Sequence, residues 1–416
     1  MTAPASGALI ANDAVVLGLL AAILGAVFWT ASRPTGFWKK FYGVVPAILL
    51  CYFLPAVLNS AGVIDGNASA LYPMARDYLL PSALVLLCVA IDFRAIVRLG
   101  PKAVVMFLVG TLGVMLGGVV AFLAMGAIHP ETVAGDTWRG MTTVAGSWIG
   151  GGANQAAMKE VFAVDATTFG QFVAVDVLVA NVWMAVLLFL AARSEAFDRW
   201  TRADLSAIDD LKRRVEAYQA EHTRIPTLTD LTVIVALGLG ATGLAHAITD
   251  PLVAWLSSLP AEWRLQDYSL TARFFWITVL ATTFGLALSF TRARRLEGAG
   301  ASKVGSVFLY VLVATIGMQM DLRALLDRPW LFALGLIWIA VHAALMLGVA
   351  KLIRAPLFFM AVGSQANIGG AASAPVVASA FHPALAPVGV LLAVLGYALG
   401  TYCAYLTGLV LQALAA

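Results

Sequence analysis

Two stretches decide how this chain folds: Gly146-Ser147-Trp148-Ile149-Gly150-Gly151-Gly152-Ala153-Asn154-Gln155, and Gly363-Ser364-Gln365-Ala366-Asn367-Ile368-Gly369-Gly370-Ala371-Ala372-Ser373. Each is a glycine-rich break set in apolar, helix-length sequence. Backbone leaves a helix at membrane depth only where protein or a wet cavity satisfies its N–H and C=O groups. A matched pair of such breaks, one in each half of a chain, points to the binding site of a transporter.

The surrounding composition makes the membrane reading firm. The chain is 61% hydrophobic and 12% charged, with a mean hydropathy of +0.89; a soluble protein carries roughly twice that charged fraction. Apolar runs of bilayer-spanning length recur throughout, so the expected class is an all-α polytopic membrane protein of the cell (inner) membrane. The net charge of +3 arises from basic loops and implies no nucleic-acid partner. Cys51, Cys88 and Cys403 lie in apolar runs without metal-ligand spacing and read as small buried hydrophobes. No Lys or Arg precedes Arg33, so the first apolar run lacks a secretory n-region and reads as a retained helix.

Spans are expected near 9–31, 42–62, 76–94, 102–127, 139–162 and 168–193, then near 229–249, 271–291, 303–320, 330–353, 356–380 and 385–413. The polar stretch 194–228 between them carries Leu205, Ile208, Leu211, Val215 and Tyr218 at helical spacing among charges. It reads as an amphipathic linker joining a repeat at 1–193 to one at 229–416. The third and ninth spans both end in Asp-apolar-Arg-Ala-apolar, at Asp92–Ile96 and Asp321–Leu325. Each is followed by a plain span, a broken span and another span, the order expected of an internal duplication.

Loop charge orients the halves. Arg33, Lys39, Lys40, Arg94, Arg98 and Lys102 mark inner loops of the first half; Arg292, Arg294, Arg295, Lys303, Lys351 and Arg354 mark those of the second. The two pentads then face opposite sides, which makes the repeats inverted. Six simple crossings per half would make them parallel instead, so one crossing is miscounted. The segment 194–270, with a re-entrant dip near Asp250–Pro260, is where the count is suspect.

The candidate site lies at the breaks, where half-helix N-termini and C-termini present free N–H and C=O groups to an anion, a cation or both. Ser147, Asn154 and Gln155 in the first break, and Ser364, Gln365, Asn367 and Ser373 in the second, are the candidate solute-binding side chains. Gly146, Gly150, Gly151, Gly152, Gly363, Gly369 and Gly370 are the residues that break the helices. Close helix packing through small residues is the alternative use of such glycines. Asp176, an acid inside the span after the first break, is the candidate ion-coupling residue; the matching second-half span, around Ala393-Val394-Leu395, has no acid.

Lys159 and Glu160 read equally as functional or as a solvated boundary. Asp92–Arg94 and Asp321–Arg323 read as interfacial anchors and Arg76–Asp77 as an interfacial pair. His342 reads as a hydrogen-bonded core residue. His129, His222, His246 and His382 lack the spacing of a metal site. No phosphate-binding loop and no nucleophile–base pair is present, so neither an enzyme nor a cofactor is expected.

At these same residues the chain resembles an uncharacterised membrane family, the domain of unknown function 819 family. The likeness rests on Gly-Ser-Trp-Ile-Gly-Gly-Gly-Ala-Asn at 146–154, Ala-Val-Asp at 174–176 with Asn181-Val182-Trp183, and Asn-Ile-Gly-Gly at 367–370, and it extends over nearly the whole chain. More distantly the order of spans is similar to the sodium/proton-antiporter-like superfamily, which includes cation/proton antiporters and sodium-coupled bile-acid, citrate and glutamate symporters. That resemblance implies a core domain with crossed, broken helices moving against a scaffold made from the first spans of each half. The paired acids typical of electrogenic antiporters are absent, since Ala174-Val175-Asp176 offers one.

The expectation is therefore a cation-coupled secondary transporter, driven by sodium or protons, for a small organic and carboxylate-bearing solute. The alternatives are a cation/proton antiporter without organic substrate, and a non-transporting scaffold or receptor. The expected partners are the solute and the lipid bilayer, with a homodimer left open.

Overall fold

The apolar runs become helices because a helix satisfies every interior backbone group within its own segment. The computed structural model describes residues 8–416 apart from 34, 43–44, 46, 204–224, 264, 321–327 and 383–384. In chain order the main helices are α1 (Asp13–Ala31), α2 (Ala47–Ser60), α3 (Leu80–Val89, entered through a π-helical turn at Ala75–Leu79), α4 (Pro101–Ile128), α5 (Thr137–Val161) and α6 (Ala166–Ala191). The second half supplies α7 (Leu228–Ser257), α8 (Arg273–Ser289), α9 (Ala301–Gly317), α10 (Trp330–Leu352), α11 (Leu357–Ile368), α12 (Gly370–Phe381) and α13 (Ala386–Ala415). The ends are written locally. Asn12 caps α1, the Asp165 carboxylate accepts the Thr167 and Thr168 N–H groups at the head of α6, and Thr227 and Asp230 form a capping box on α7. Pro101 opens α4, where its missing N–H costs nothing.

Six of the described helices are long and apolar enough to cross a bilayer, and two bent pairs raise the number to eight. The outer surface fits that solvent: Leu108, Leu112, Leu116, Val120 and Leu123 form an exposed apolar stripe along α4. This is an all-α polytopic membrane protein. The amphipathic reading of 205–218 and the second pentad at Asp321–Leu325 fall outside the described residues. Helix α7 runs unbroken through Pro251 to Ser257, so no re-entrant dip occurs at 250–257.

The largest departure from the sequence reading is at the two breaks. Neither segment is a broken crossing; each is a helical hairpin. In α5 the backbone reverses at Gly151 (φ +72°, ψ −175°). Beyond it the chain runs back so far that the Trp138 and Phe162 rings, 24 residues apart, lie 5.8 Å from centroid to centroid. A straight helix would separate them by roughly 36 Å. The arms are close because Gly146 has no side chain: a β-carbon there would sit 2.7 Å from the Asn154 carbonyl oxygen. The α11–α12 pair reverses at Gly370 (φ +58°) and brings Phe358 to 5.4 Å from Phe381.

The hairpins enter from opposite ends of the bundle. Helix α6 starts beside the open end of the α5 hairpin and runs 26 residues, roughly 39 Å. Just beyond it, Asp198 accepts the Leu357 N–H at 2.7 Å, at the open end of the α11–α12 hairpin. Helix α13 makes the return journey and places Tyr405 against Phe162. The two tips meet in the interior, where a β-carbon on Gly370 would lie 3.9 Å from the Gly151 Cα.

Helices pack in two groups. One holds α4–α6 with α10–α13, and the other holds α1–α3 with α7–α9. The contacts pair off between the halves: α3 with α8 is matched by α9 with α2, and α5 with α13 by α11 and α12 with α6, while α4 packs on α10 and α3 on α9.

Candidate solute site at the hairpin tips

A cavity of about 210 Å³ lies where the tips meet. The first hairpin gives it Ser147, Gly151, Gly152 and Gln155; the second gives Gln365, Ile368, Gly369, Ala372 and Ser373. Helix α6 supplies Asp176, Ala180, Asn181 and Met184, and the other helix group closes it with Ile48, Tyr52 and Tyr310.

Asp176 is the hub. Its Oδ2 accepts from Ser147 Oγ at 2.6 Å and Gln155 Nε2 at 2.8 Å, and its Oδ1 accepts from Trp148 Nε1 at 2.6 Å. All three donors are uncharged, and they come from both arms of the first hairpin. Hydrogen bonds to a charged group are worth about 1.5–3 kcal/mol each, so the carboxylate is fixed in place while its charge stays uncompensated. Among the described lining residues none is Lys, Arg or His.

The two hairpins carry the same side chains in reverse order. Ser147 and Gln155 stand four residues either side of Gly151; Gln365 and Ser373 stand four either side of Gly369. In the second hairpin no acid is opposite. Gln365 Nε2 instead donates to Ser373 Oγ at 2.7 Å, and Gln365 Oε1 is buried without a hydrogen-bond partner. Gly369 permits this pairing, since a β-carbon there would overlap Ser373 Oγ.

Of the residues singled out in the sequence, Ser147, Gln155, Asp176, Gln365 and Ser373 therefore come together on one cavity, with Gly151, Gly152 and Gly369. Asn154, Asn367 and Ser364 do not line it. Asn154 donates to the Gly150 carbonyl (3.0 Å) and the Tyr397 carbonyl (2.9 Å) and accepts from Thr401 Oγ1 (2.6 Å). Asn367 repeats the construction: it donates to Gly363 and Phe107 carbonyls, both at 2.9 Å, and accepts from Thr111 Oγ1 at 2.8 Å. Each amide spends its bonds anchoring a hairpin arm to a neighbouring span, α13 or α4. Ser364 accepts from Trp183 Nε1 and pairs with His342 Nε2, each at 2.8 Å, which makes His342 the bonded core residue its isolation in the sequence implied. Gly146, Gly150 and Gly363 serve close packing: Gly150 against Gly396 and Gly400 of α13, Gly363 against the α4 backbone at Phe107.

Sequence reasoning missed Trp148, Tyr52 and Tyr310. Trp148 sits inside the quoted motif, yet an indole in an apolar run reads as packing until its N–H partner is known. Lys159 and Glu160, left open in the sequence, join a buried cluster at the open end of the first hairpin. Lys159 donates to Tyr72 Oη at 2.6 Å and to Glu160 at 3.0 Å, Tyr72 also bonds Glu160, and Arg76 stands 3.6 Å from Glu160. The cluster ties one helix group to the other. Asp92 caps the short helix after α3 and pairs with Arg294 at 2.9 Å. Arg76 pairs with Asp77 at 2.8 Å.

Comparison with known proteins agrees with a membrane protein. The uncharacterized membrane protein YjcL of Bacillus subtilis (strain 168) is 26% identical over 373 residues, covering 87% of this chain and 89% of that protein. The model of the protein family of unknown function DUF819 matches residues 18–414. Spanning almost the whole sequence, that match establishes that this multi-pass membrane protein belongs to the DUF819 family.

Proposed function

We propose that the chain is a cation-coupled secondary active transporter of a small organic solute, working by alternating access in the cell's inner membrane. One observation carries the reading: two re-entrant hairpins from opposite ends of the bundle meet tip to tip on a cavity that holds a lone buried acid. Irregular backbone at such depth is tolerated where it lines a protein-enclosed cavity, and an intramembrane acid without a structural counter-charge marks an ion site.

With each hairpin counted as re-entrant, and the shorter α3 and α9 counted beside the eight helices and bent pairs of bilayer length, there are ten crossings, five in each half, and an odd number per half inverts the second repeat. In this reading the parity conflict in the sequence arises at the breaks, not at 194–270. The division into repeats at 1–193 and 229–416 is supported by the contacts that pair off between the halves. The same topology gathers Arg33, Lys39, Lys40, Arg98, Lys102, Arg294, Lys351 and Arg354 at one end, which the positive-inside rule makes cytoplasmic.

In this reading α4–α6 with α10–α13 form the moving core and α1–α3 with α7–α9 the scaffold. Asp176 binds the coupling sodium ion or proton. The cavity is larger than a bare ion needs, which favours an organic solute over bare-ion exchange. The test is uptake of candidate solutes into proteoliposomes under an imposed sodium or proton gradient, with internal pH recorded. Gradient-driven uptake that loses its ion dependence or stops in a stably expressed Asp176→Asn variant supports the assignment. Full gradient-driven transport in that variant refutes it.

A further inference from the structure

The charge and hydrogen-bonding character of the cavity narrows the solute. We infer that this site takes a small protonated amine, held by Asp176 and Gln365, which competes with the coupling cation for the same carboxylate; the inference rests on the transporter reading above.

The Asp176 carboxylate is the one charged group among the described lining residues. A negatively charged solute would therefore meet a like charge with no basic side chain to offset it. Half-helix N-termini at the tips do not reverse this balance, since their dipole ends amount to fractional charges. A cation meets a full, pre-oriented negative charge instead.

The second argument is the unmet acceptor. Gln365 is 1% exposed, and its Oε1 has no partner while its Nε2 is committed to Ser373. Leaving a buried acceptor bare is unfavourable, so the site is completed by something that donates. An ammonium group offers three N–H donors, enough for Asp176 and Gln365 together. A fully substituted ammonium or an alkali cation carries charge without N–H groups. The Tyr52 and Tyr310 side chains on the scaffold wall add aromatic surface of the type that attracts ammonium groups. The size of the cavity limits the remainder of the solute to a short chain.

Competition follows from charge. One carboxylate balances one positive charge, and a second buried cation beside it would be uncompensated. Amine and coupling cation therefore occupy the site in turn, which is the condition for exchange.

The experiment is thermal stabilisation of the purified full chain in detergent at neutral pH by three probes of one carbon skeleton: n-butylammonium, butyrate and 1-butanol. A ligand that binds the folded state raises the melting temperature in a saturable way. The expected result is a saturable rise with butylammonium alone, displaced to higher concentration by added sodium or by lower pH. In Asp176→Asn the saturable rise disappears. In Gln365→Met it needs about tenfold or more amine, the scale of one lost hydrogen bond to a charged group. Gln365→Met keeps the test alive should Asp176→Asn fail to fold. Saturable stabilisation by butyrate and not by butylammonium overturns the inference, as does an amine titration unchanged in both variants. Amine binding without amine counterflow in proteoliposomes would sink the transporter reading and leave the site intact. Gradient-driven transport of an anionic solute without amine binding would do the reverse.

Discussion

Replacing Asn367 by Ala separates a solute ligand from a structural tie. The side chain is fully buried and makes three hydrogen bonds, to the Gly363 and Phe107 carbonyls and from Thr111 Oγ1. Both carbonyls also belong to helices and keep partners there, and Thr111 Oγ1 keeps its 3.4 Å contact with the Phe107 carbonyl. The loss is thus three net bonds of about 0.5–1.5 kcal/mol each with no fully stranded group, plus the small cavity left by the amide. A destabilisation of about 2–4 kcal/mol is expected. The assay measures melting temperature and solute affinity on one purified preparation of Asn367→Ala, beside Asn154→Ala, whose bonding is equivalent. Both variants should melt lower while the folded fraction keeps the parental affinity. A parental melting temperature with affinity lost by tenfold or more would refute the reasoning and return the asparagines to the site.

Other expectations follow from the hairpins and the cluster at the first hairpin's open end. Single cysteines at Asp136 and Ala163, on a background lacking Cys51, Cys88 and Cys403, should react with a membrane-impermeant maleimide from the same side, whereas a through-crossing would expose them on opposite sides. Gly151→Ala and Gly370→Ala should each cost about 1–3 kcal/mol for an L-residue held at positive φ and impair solute binding; unchanged melting and binding in both would argue against fixed tips. Glu160→Gln and Lys159→Met should loosen the cluster joining the hairpin to Tyr72 and Arg76, raising maleimide access to a cysteine at Ala372 from that side. Access equal to the parent in both variants would show that the cluster does not hold the cavity shut.

The breaks and the acid were legible because their signals are local. Glycine runs and Asp176 stand out in apolar sequence whatever surrounds them. The reversal was not legible, since a glycine at φ +72° and one that merely kinks a helix are the same letter. Only the long-range pairs, Trp138 with Phe162 and Phe358 with Phe381, distinguish a hairpin from a bent crossing. The asparagines illustrate the same limit from the other side. An amide beside a glycine run looks like a ligand, and the hydroxyls that claim it, Thr401 and Thr111, lie 247 and 256 residues away. Crossing parity was the useful warning: opposite loop charges and even spans per half were incompatible, and counting each hairpin as re-entrant would remove the conflict.

A single acid on a nearly symmetric pair of hairpins also explains how transport would be coupled. Both tips carry a serine and a glutamine four residues either side of a glycine, Gly151 in the first and Gly369 in the second, so either hairpin offers a polar wall to the cavity. Only α6 adds a charge, and its donors Ser147, Trp148 and Gln155 all move with the first hairpin and α6 as part of the same helix group. When the site is empty, carrying that carboxylate past the scaffold means moving an unbalanced charge through a low-dielectric interior, at several kcal/mol. Occupied by a cation, the core is locally neutral and the barrier falls by a corresponding amount. In the proposed carrier the loaded core then crosses and the empty one stays, which would couple one flux to another without a second acid. Asp176→Asn abolishes the charge in every state. On this reasoning it lets the empty core move as easily as a loaded one while removing the amine's anchor, so maleimide access to a cysteine at Ala372 from either side should lose its dependence on a bound cation. A variant that still requires that cation would show that the charge of Asp176 is not what holds the empty core in place.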